Sequence, residues 1–125
     1  LQSHLTGNNC TFAQWGAVAA IDHEEEIVPP MVALMKKRRD LCLDLSKGLF
    51  EVETPGGAFY LFPKVTQYFD RFKDSAEMAT YILEKTGVAG LGGSAFGMEG
   101  HLRFAFTASE SDLKEAFRRM REVLL

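Results

Sequence analysis

Only two of the 125 residues are cysteine, three are histidine and one is tryptophan. Cys10 and Cys42 lack the spacing of a metal-ligand pair, and His4, His23 and His101 share no ligand spacing, so no metal site is expected. With no secretory leader in view, reduced thiols in a cytoplasmic protein are the expectation. Positive charge is also short: 14 Lys and Arg against 17 Asp and Glu leave a net charge of −3. A nucleic-acid partner asks for a basic surface, and the run Lys36–Lys37–Arg38–Arg39 is too brief to supply one. No apolar stretch approaches the ~20 residues that cross a bilayer, so no membrane partner is expected.

What remains is ordinary globular composition, 46% hydrophobic and 25% charged, in a length that fits one domain with a modest core. The chain starts at Leu1 rather than at Met, and LQSHLTGNN reads like the interior of a longer protein, so a fragment or single domain is expected.

Thr11-x-x-Gln14 has capping-box form, and Trp15, Val18, Ala19 and Ile21 follow near helical spacing, giving a helix over residues 12–22. Glu24–Glu26 and Pro29–Pro30 should interrupt or restart it, because proline belongs in a first turn. A second helix then runs from about residue 32, or 30, to 47, with Met31, Leu34, Met35, Leu41, Cys42 and Leu45 on one stripe, and Gly48 stops it. Residues 49–53 and 58–62 read as two strands of a hairpin around Thr54–Pro55–Gly56–Gly57. Asp74-x-x-Glu77 caps a helix over 75–85, with Met78, Ala79, Ile82 and Leu83 inward and Gly87 after it. Residues 88–91 and 101–107 are the last two strands. Ser109-x-x-Asp112 caps a final helix carrying Leu113, Ala116, Phe117, Met120 and Leu124 inward. The fold class this predicts is α+β, a small mostly antiparallel sheet covered by helices.

The stretch GVAGLGGSAFGMEGHLRFAF, residues 87–106, holds six glycines and one arginine. Leu102, Phe104 and Phe106 alternate with His101, Arg103, Ala105 and Thr107, so the first set anchors a strand in the core and Arg103 stands on the opposite face. There it either pairs with a neighbouring carboxylate on the sheet surface or binds a ligand carboxylate through its planar fork. Gly90-x-Gly92-x-x-Ala95 formally matches a dinucleotide fingerprint. That motif must open a helix, whereas Phe96–Gly97–Met98–Glu99–Gly100 sustains no more than a turn, so the glycines are read as a shaped connection between strands. The residues alone contain no complete catalytic constellation.

Five blocks, in order, resemble the C-terminal part of a fold-type-I pyridoxal-phosphate enzyme of the aspartate aminotransferase-like, class I/II family. They are QSHLTGNNCTFAQWGAVAAI, MKKRRDLCLDL, TPGGAFYLFP, GVAGLGGSAFG and GHLRFAFTASESDLKEAFRRM, and they cover nearly the whole chain. The third and fifth are the most specific. The resemblance implies an interdomain segment and helix over residues 1–30 and a small C-terminal domain over 31–125. It implies that Arg103 binds the substrate α-carboxylate, and that Phe59 lies near the substrate side or serves packing. Thr6 and Asn8 would approach the site of the partner subunit. Gly92–Gly93 departs from the family's usual Pro-Gly, which should loosen the loop, and Phe106 replaces the small residue usual beside the arginine strand.

The resemblance further implies a parent aminotransferase using pyridoxal 5′-phosphate on amino-acid and 2-oxo-acid substrates, expected as a homodimer with a large domain absent from this sequence. The cofactor lysine, the acid at the pyridine nitrogen and the phosphate cup belong to that domain. None of Lys36, Lys37, Lys47, Lys64, Lys73, Lys85 and Lys114 matches the lysine's position, so no cofactor is expected on this chain alone, which should be inactive by itself. A fold-type-I lyase or synthase, and a non-catalytic ligand-binding or regulatory domain, would share these blocks.

Overall fold

The computed structural model describes Gly7 and residues 9–125, which divide into two compact units, one ending at Leu34 and one running from Met35 to Leu125. Among the described residues, four helices and three short strands follow one another as α1 (Thr11–Asp22), α2 (Glu24–Ser46), β1 (Tyr60–Leu61), α3 (Ser75–Thr86), β2 (Leu91–Gly92), β3 (Leu102–Ala105) and α4 (Glu110–Leu124). The class is α+β, as expected. The expected capping box at Thr11 does not form: Thr11 is already helical, and Cys10 at the N-cap makes no side-chain bond.

The helix restarts at the glutamates as expected, α2 beginning at Glu24, but the expected interruption at the prolines is corrected. The break is the single residue His23, whose carbonyl accepts from Glu26 and Ile27 N–H, both at 3.1 Å, and so starts α2. Three glutamates fill the first turn, where negative charge suits the helix dipole. Pro29 and Pro30 lie inside α2, each leaving one i→i−4 bond unmade. In the first unit no residue of α1 is buried, and Phe12 (81%) and Trp15 (70%) stand exposed with Val18 and Ile21. Met31 and Leu34, expected inward, are exposed as well, whereas Cys42 further along α2 is buried in the second unit.

The second unit is built around a three-stranded antiparallel sheet in the order β1-β3-β2. Tyr60 pairs with Ala105 and Leu61 with Phe104, while Leu91 pairs with Arg103 and Gly92 with Leu102. The expected 49–53/58–62 hairpin is replaced: Glu51 makes one bridge, to Lys64, and β1 pairs with β3 instead. Alternation on β3 buries Leu102 and Phe104, and Phe106 continues the core beyond the strand. Against them pack Met78 and Ile82 of α3 and Leu113, Phe117, Met120 and Leu124 of α4, each such side chain contributing about 1.5–3 kcal/mol on burial. Leu83, expected inward on α3, is 50% exposed.

Local caps hold these helices where the sequence puts them. Asp74 accepts the Glu77 N–H at 2.8 Å, Glu77 accepts the Lys73 N–H at 2.6 Å, and Ser109 accepts the Asp112 N–H at 3.1 Å. Gly48 and Gly87 end α2 and α3 at φ of 73° and 74°, in the left-handed region that a Cβ disfavours. Among the described residues no helix is long and apolar enough to cross a membrane.

Candidate functional site

Arg103 projects from the middle of β3 on the face opposite Leu102 and Phe104, half-buried. Six of the seven arginines give their guanidinium to an acceptor within the chain. Arg38 donates to the Thr107 carbonyl, Arg39 to Asp40, and Arg71 to the carbonyls of Leu124 and Val123. Arg118 and Arg119 donate to Glu115, and Arg121 to the carbonyls of Leu45 and Lys47. Arg103 is the exception: among the described residues its guanidinium has neither an ion pair nor a hydrogen-bonded acceptor. The sheet-surface carboxylate expected as one alternative is therefore not there.

Aromatic faces take its place. The guanidinium carbon lies 4.4 Å from the centroid of the Tyr60 ring and 3.8 Å from that of Phe96. Both distances are within cation–π range, worth about 0.5–2 kcal/mol per contact according to exposure. Tyr60 comes from β1, whose register with β3 sets it beside Arg103 on the same face. Ala58, at φ 57° the one non-glycine residue with positive φ among those described, turns the chain just ahead of this strand. Phe59 follows it, 42% exposed, its ring 4.5 Å from Tyr60. It thus stands next to the arginine's aromatic partner.

Phe96 arrives by the glycine loop. Residues Gly93–Phe96 form one 3-10 turn, which is no helix N-terminus for a pyrophosphate. The turn is clamped by Gly93 N–H donating to His101 O at 2.7 Å and Met98 N–H donating to Gly93 O at 2.9 Å. A Cβ on Gly93 would stand 2.1 Å from the Met98 carbonyl oxygen, so the crossing requires glycine there. Gly92, where the resemblance led to the expectation of proline, holds φ −60°, the value a proline ring imposes. Glu99 ties the far side of the loop to α3 by accepting N–H bonds from Ser75 at 2.7 Å and Gly100 at 2.9 Å. The Gly100 and Ser75 N–H groups hold its carboxyl below the usual carboxylate range.

Phe96 in turn meets Phe62 edge-on at 6.3 Å, and Phe62 stacks on His101 at 5.1 Å. A shallow cavity of about 240 Å³ opens beside the arginine, lined by Tyr60, Ala89, Gly90, Leu91, Arg103 and Ala105. A guanidinium held on aromatic faces with its in-plane donors unspent is suited to a planar anion, above all a carboxylate.

The structure brings Phe59 and Arg103 into one neighbourhood through Tyr60. Thr6 and Asn8 lie outside the described residues. Tyr60 and Phe96 escaped the sequence reading, although Tyr60 alternates with buried Leu61 and Phe96 sits in the glycine-rich block. All seven lysines are exposed, and among the described residues no cluster of His, Cys, Asp or Glu could hold a metal ion.

The profile of the aminotransferase class I and II family matches residues 1–120. A probable aspartate/prephenate aminotransferase of Aquifex aeolicus is 37% identical over 129 residues, covering 99% of this chain and 32% of the relative. A probable aspartate aminotransferase of Methanocaldococcus jannaschii is 37% identical over 115 residues, covering 90% of this chain and 29% of the relative. Among solved structures, the aspartate aminotransferase of Thermotoga maritima superposes with a TM-score of 0.83 at 34% identity, over 98% of this chain and 31% of its own. An aromatic aminotransferase of Pyrococcus horikoshii gives 0.80 at 31% identity, over 91% of this chain and 31% of its own. The chain thus spans about a third of the length of the proteins it matches.

Proposed function

Since this chain belongs to the aminotransferase class I and II family, we propose that it is the small C-terminal domain of a pyridoxal-phosphate-dependent aminotransferase. The whole enzyme moves an amino group between an amino acid and a 2-oxo acid, and this domain supplies Arg103 to hold the substrate α-carboxylate. The observation that carries the reading is the guanidinium of Arg103, without an acceptor among the described residues and resting on the Tyr60 and Phe96 rings. The relatives are named for aspartate, for prephenate and for aromatic substrates, so side-chain chemistry varies among them. The group amino-acid substrates share is the α-carboxylate, which is what an arginine fork recognises.

Pyridoxal phosphate does not fit the residues described here. A lysine that carries an aldehyde cofactor stands in an enclosed site, yet all seven lysines are exposed, and Lys37, Lys47 and Lys64 are paired with Glu110, Asp44 and Glu51. Holding the cofactor falls to the remainder of the enzyme, and this chain is inactive without it. Residues 1–30 join the two parts, the exposed apolar side chains of α1 meeting protein outside this chain. Thr6 and Asn8 approach the active site of a partner subunit in a cytoplasmic homodimer. Arg103 fixes the orientation of the substrate, and movement of the small domain against the large one shields the reaction from water.

The test is Arg103→Lys in the full-length enzyme. Lysine keeps the charge and loses the planar pair of hydrogen bonds, so KM for the amino-acid substrate should rise roughly ten- to hundredfold, the equivalent of about 1.5–3 kcal/mol. Thermal stability should hardly change. An unaltered KM would remove Arg103 from the substrate site.

A further inference from the structure

We propose that Phe96 is a positioning residue for Arg103: the glycine loop delivers its ring onto the guanidinium and fixes the direction in which the arginine meets a carboxylate. This rests on the reading of Arg103 as the carboxylate-binding group.

An arginine side chain loses about 2 kcal/mol of rotamer freedom when it is immobilised. The usual device against that loss is a second acceptor that holds the side chain in place, and six arginines in this chain have one. Arg103 has none among the described residues. What fixes its side chain is the pair of rings, Phe96 at 3.8 Å and Tyr60 at 4.4 Å. A ring face attracts the cation without occupying any in-plane N–H, so the side chain is ordered while all its donors stay available.

The support behind Phe96 points the same way. The ring is only half covered, at 42% exposure, so it is not held in place by the core. Instead it meets Phe62 edge-on, Phe62 stacks on His101, and His101 sits next to β3, on which Arg103 lies. Below it the backbone is pinned by the Gly93–His101 and Met98–Gly93 hydrogen bonds and by the Glu99 carboxylate on Ser75. The glycines of the loop bring an aromatic face to an arginine.

The experiment compares Phe96→Leu, Phe96→Tyr, Arg103→Gln and the double variant Phe96→Leu/Arg103→Gln in the full-length enzyme, following KM, kcat and Tm. Leucine keeps an apolar side chain and removes the ring face; tyrosine keeps the face. Phe96→Leu should raise KM for the amino-acid substrate about three- to tenfold with kcat changed less than twofold. Phe96→Tyr should stay within twofold of the parent, and Phe96→Leu should have no further effect on KM once Arg103 is glutamine.

Equal losses in the leucine and tyrosine variants would overturn the proposal, as would a leucine effect that persists in the Arg103→Gln background. If Arg103→Gln raises KM and Phe96→Leu does not, the positioning role falls and the carboxylate reading stands. If Arg103→Gln leaves KM unchanged, the carboxylate reading itself falls, and this proposal with it.

Discussion

Arg121 of α4 donates one N–H to the carbonyl of Leu45 at 2.7 Å, and the same nitrogen donates to Lys47 O at 2.6 Å. It closes the C-terminal end of α2, where the last carbonyls have no partner within the helix. Arg119 does the same for α3 through Thr86 O at 3.2 Å, and Arg71 for α4 through Leu124 O at 2.7 Å and Val123 O at 3.0 Å. Three helix ends are thus stitched by arginines from other elements, each meeting the negative end of a helix dipole with a positive charge.

Arg121→Met keeps the aliphatic stem and deletes the donors. The variant should lose about 1–2 kcal/mol, because charge-assisted hydrogen bonds are stronger than neutral ones but this side chain is still partly solvated. For a unit of this size that lowers Tm by roughly 4–8 °C per kcal/mol. Urea unfolding measures it directly, and an unchanged midpoint would show that water replaces the arginine at no cost.

Acid should weaken the fold through hydrogen-bonded carboxylates, Glu115 and Glu99 among them. Glu115 is drawn down to about 2 by hydrogen bonds from Arg118 and then Arg119, and Glu99 is lowered by the N–H groups of Gly100 and Ser75. Both groups hold a proton less readily when folded than when unfolded. Their contribution is therefore complete above the ordinary glutamate value of 4.5 and is lost below it, in the case of Glu115 as pH falls toward about 2. The denaturation midpoint should be flat near neutrality and drop below about pH 5. Glu115→Gln should lower the plateau and flatten that drop; a variant with the parent's acid profile would clear Glu115 of the effect.

The parts legible in the sequence are those decided within a few residues. Ser109 with Asp112, Asp74 with Glu77, and the glycines at 48 and 87 gave the helix ends, and the alternation of Leu102, Phe104 and Phe106 gave the buried face of β3. The partner of β1 was not legible. A strand of two residues carries too little pattern to fix its register, and the long-range match of Tyr60 to Ala105 decides it. Pro29 and Pro30 misled because their cost is local while the start of α2 is set upstream, by His23 and the glutamates. At the site, Arg103 could be placed on its face by counting alone. Its relation to Tyr60 could not, because that contact spans the sheet, nor could its relation to Phe96, because a loop of glycines has no period to read.

The two thiols should separate cleanly by reactivity. Cys10 is exposed, whereas Cys42 is 1% exposed on α2 and its burial pushes the thiol up to about 11. Only the thiolate attacks a disulfide reagent, so near pH 8 a buried thiol with that value is almost entirely unreactive. Labelling of the folded protein should stop at one equivalent, at Cys10, with Cys42 released only by denaturant. Rapid labelling of both in the native protein would mean that the end of α2 opens readily.

Gly93 should tolerate no side chain, in contrast to Gly56. A Cβ at Gly93 would lie 2.1 Å from Met98 O and 2.8 Å from His101 O, backbone atoms that belong to the same clamped crossing, whereas at Gly56 nothing stands within 4 Å. Gly93→Ala must therefore move the loop backbone, at a cost of about 1–3 kcal/mol. Gly56→Ala should stay within about 0.5 kcal/mol of the parent. Because the loop carries Phe96, the displacement should also free Arg103, and the aromatic near-ultraviolet circular dichroism should change in Gly93→Ala but not in Gly56→Ala. Equal stabilities and equal spectra would mean that the crossing is not fixed at Gly93 and that the ring reaches Arg103 without it.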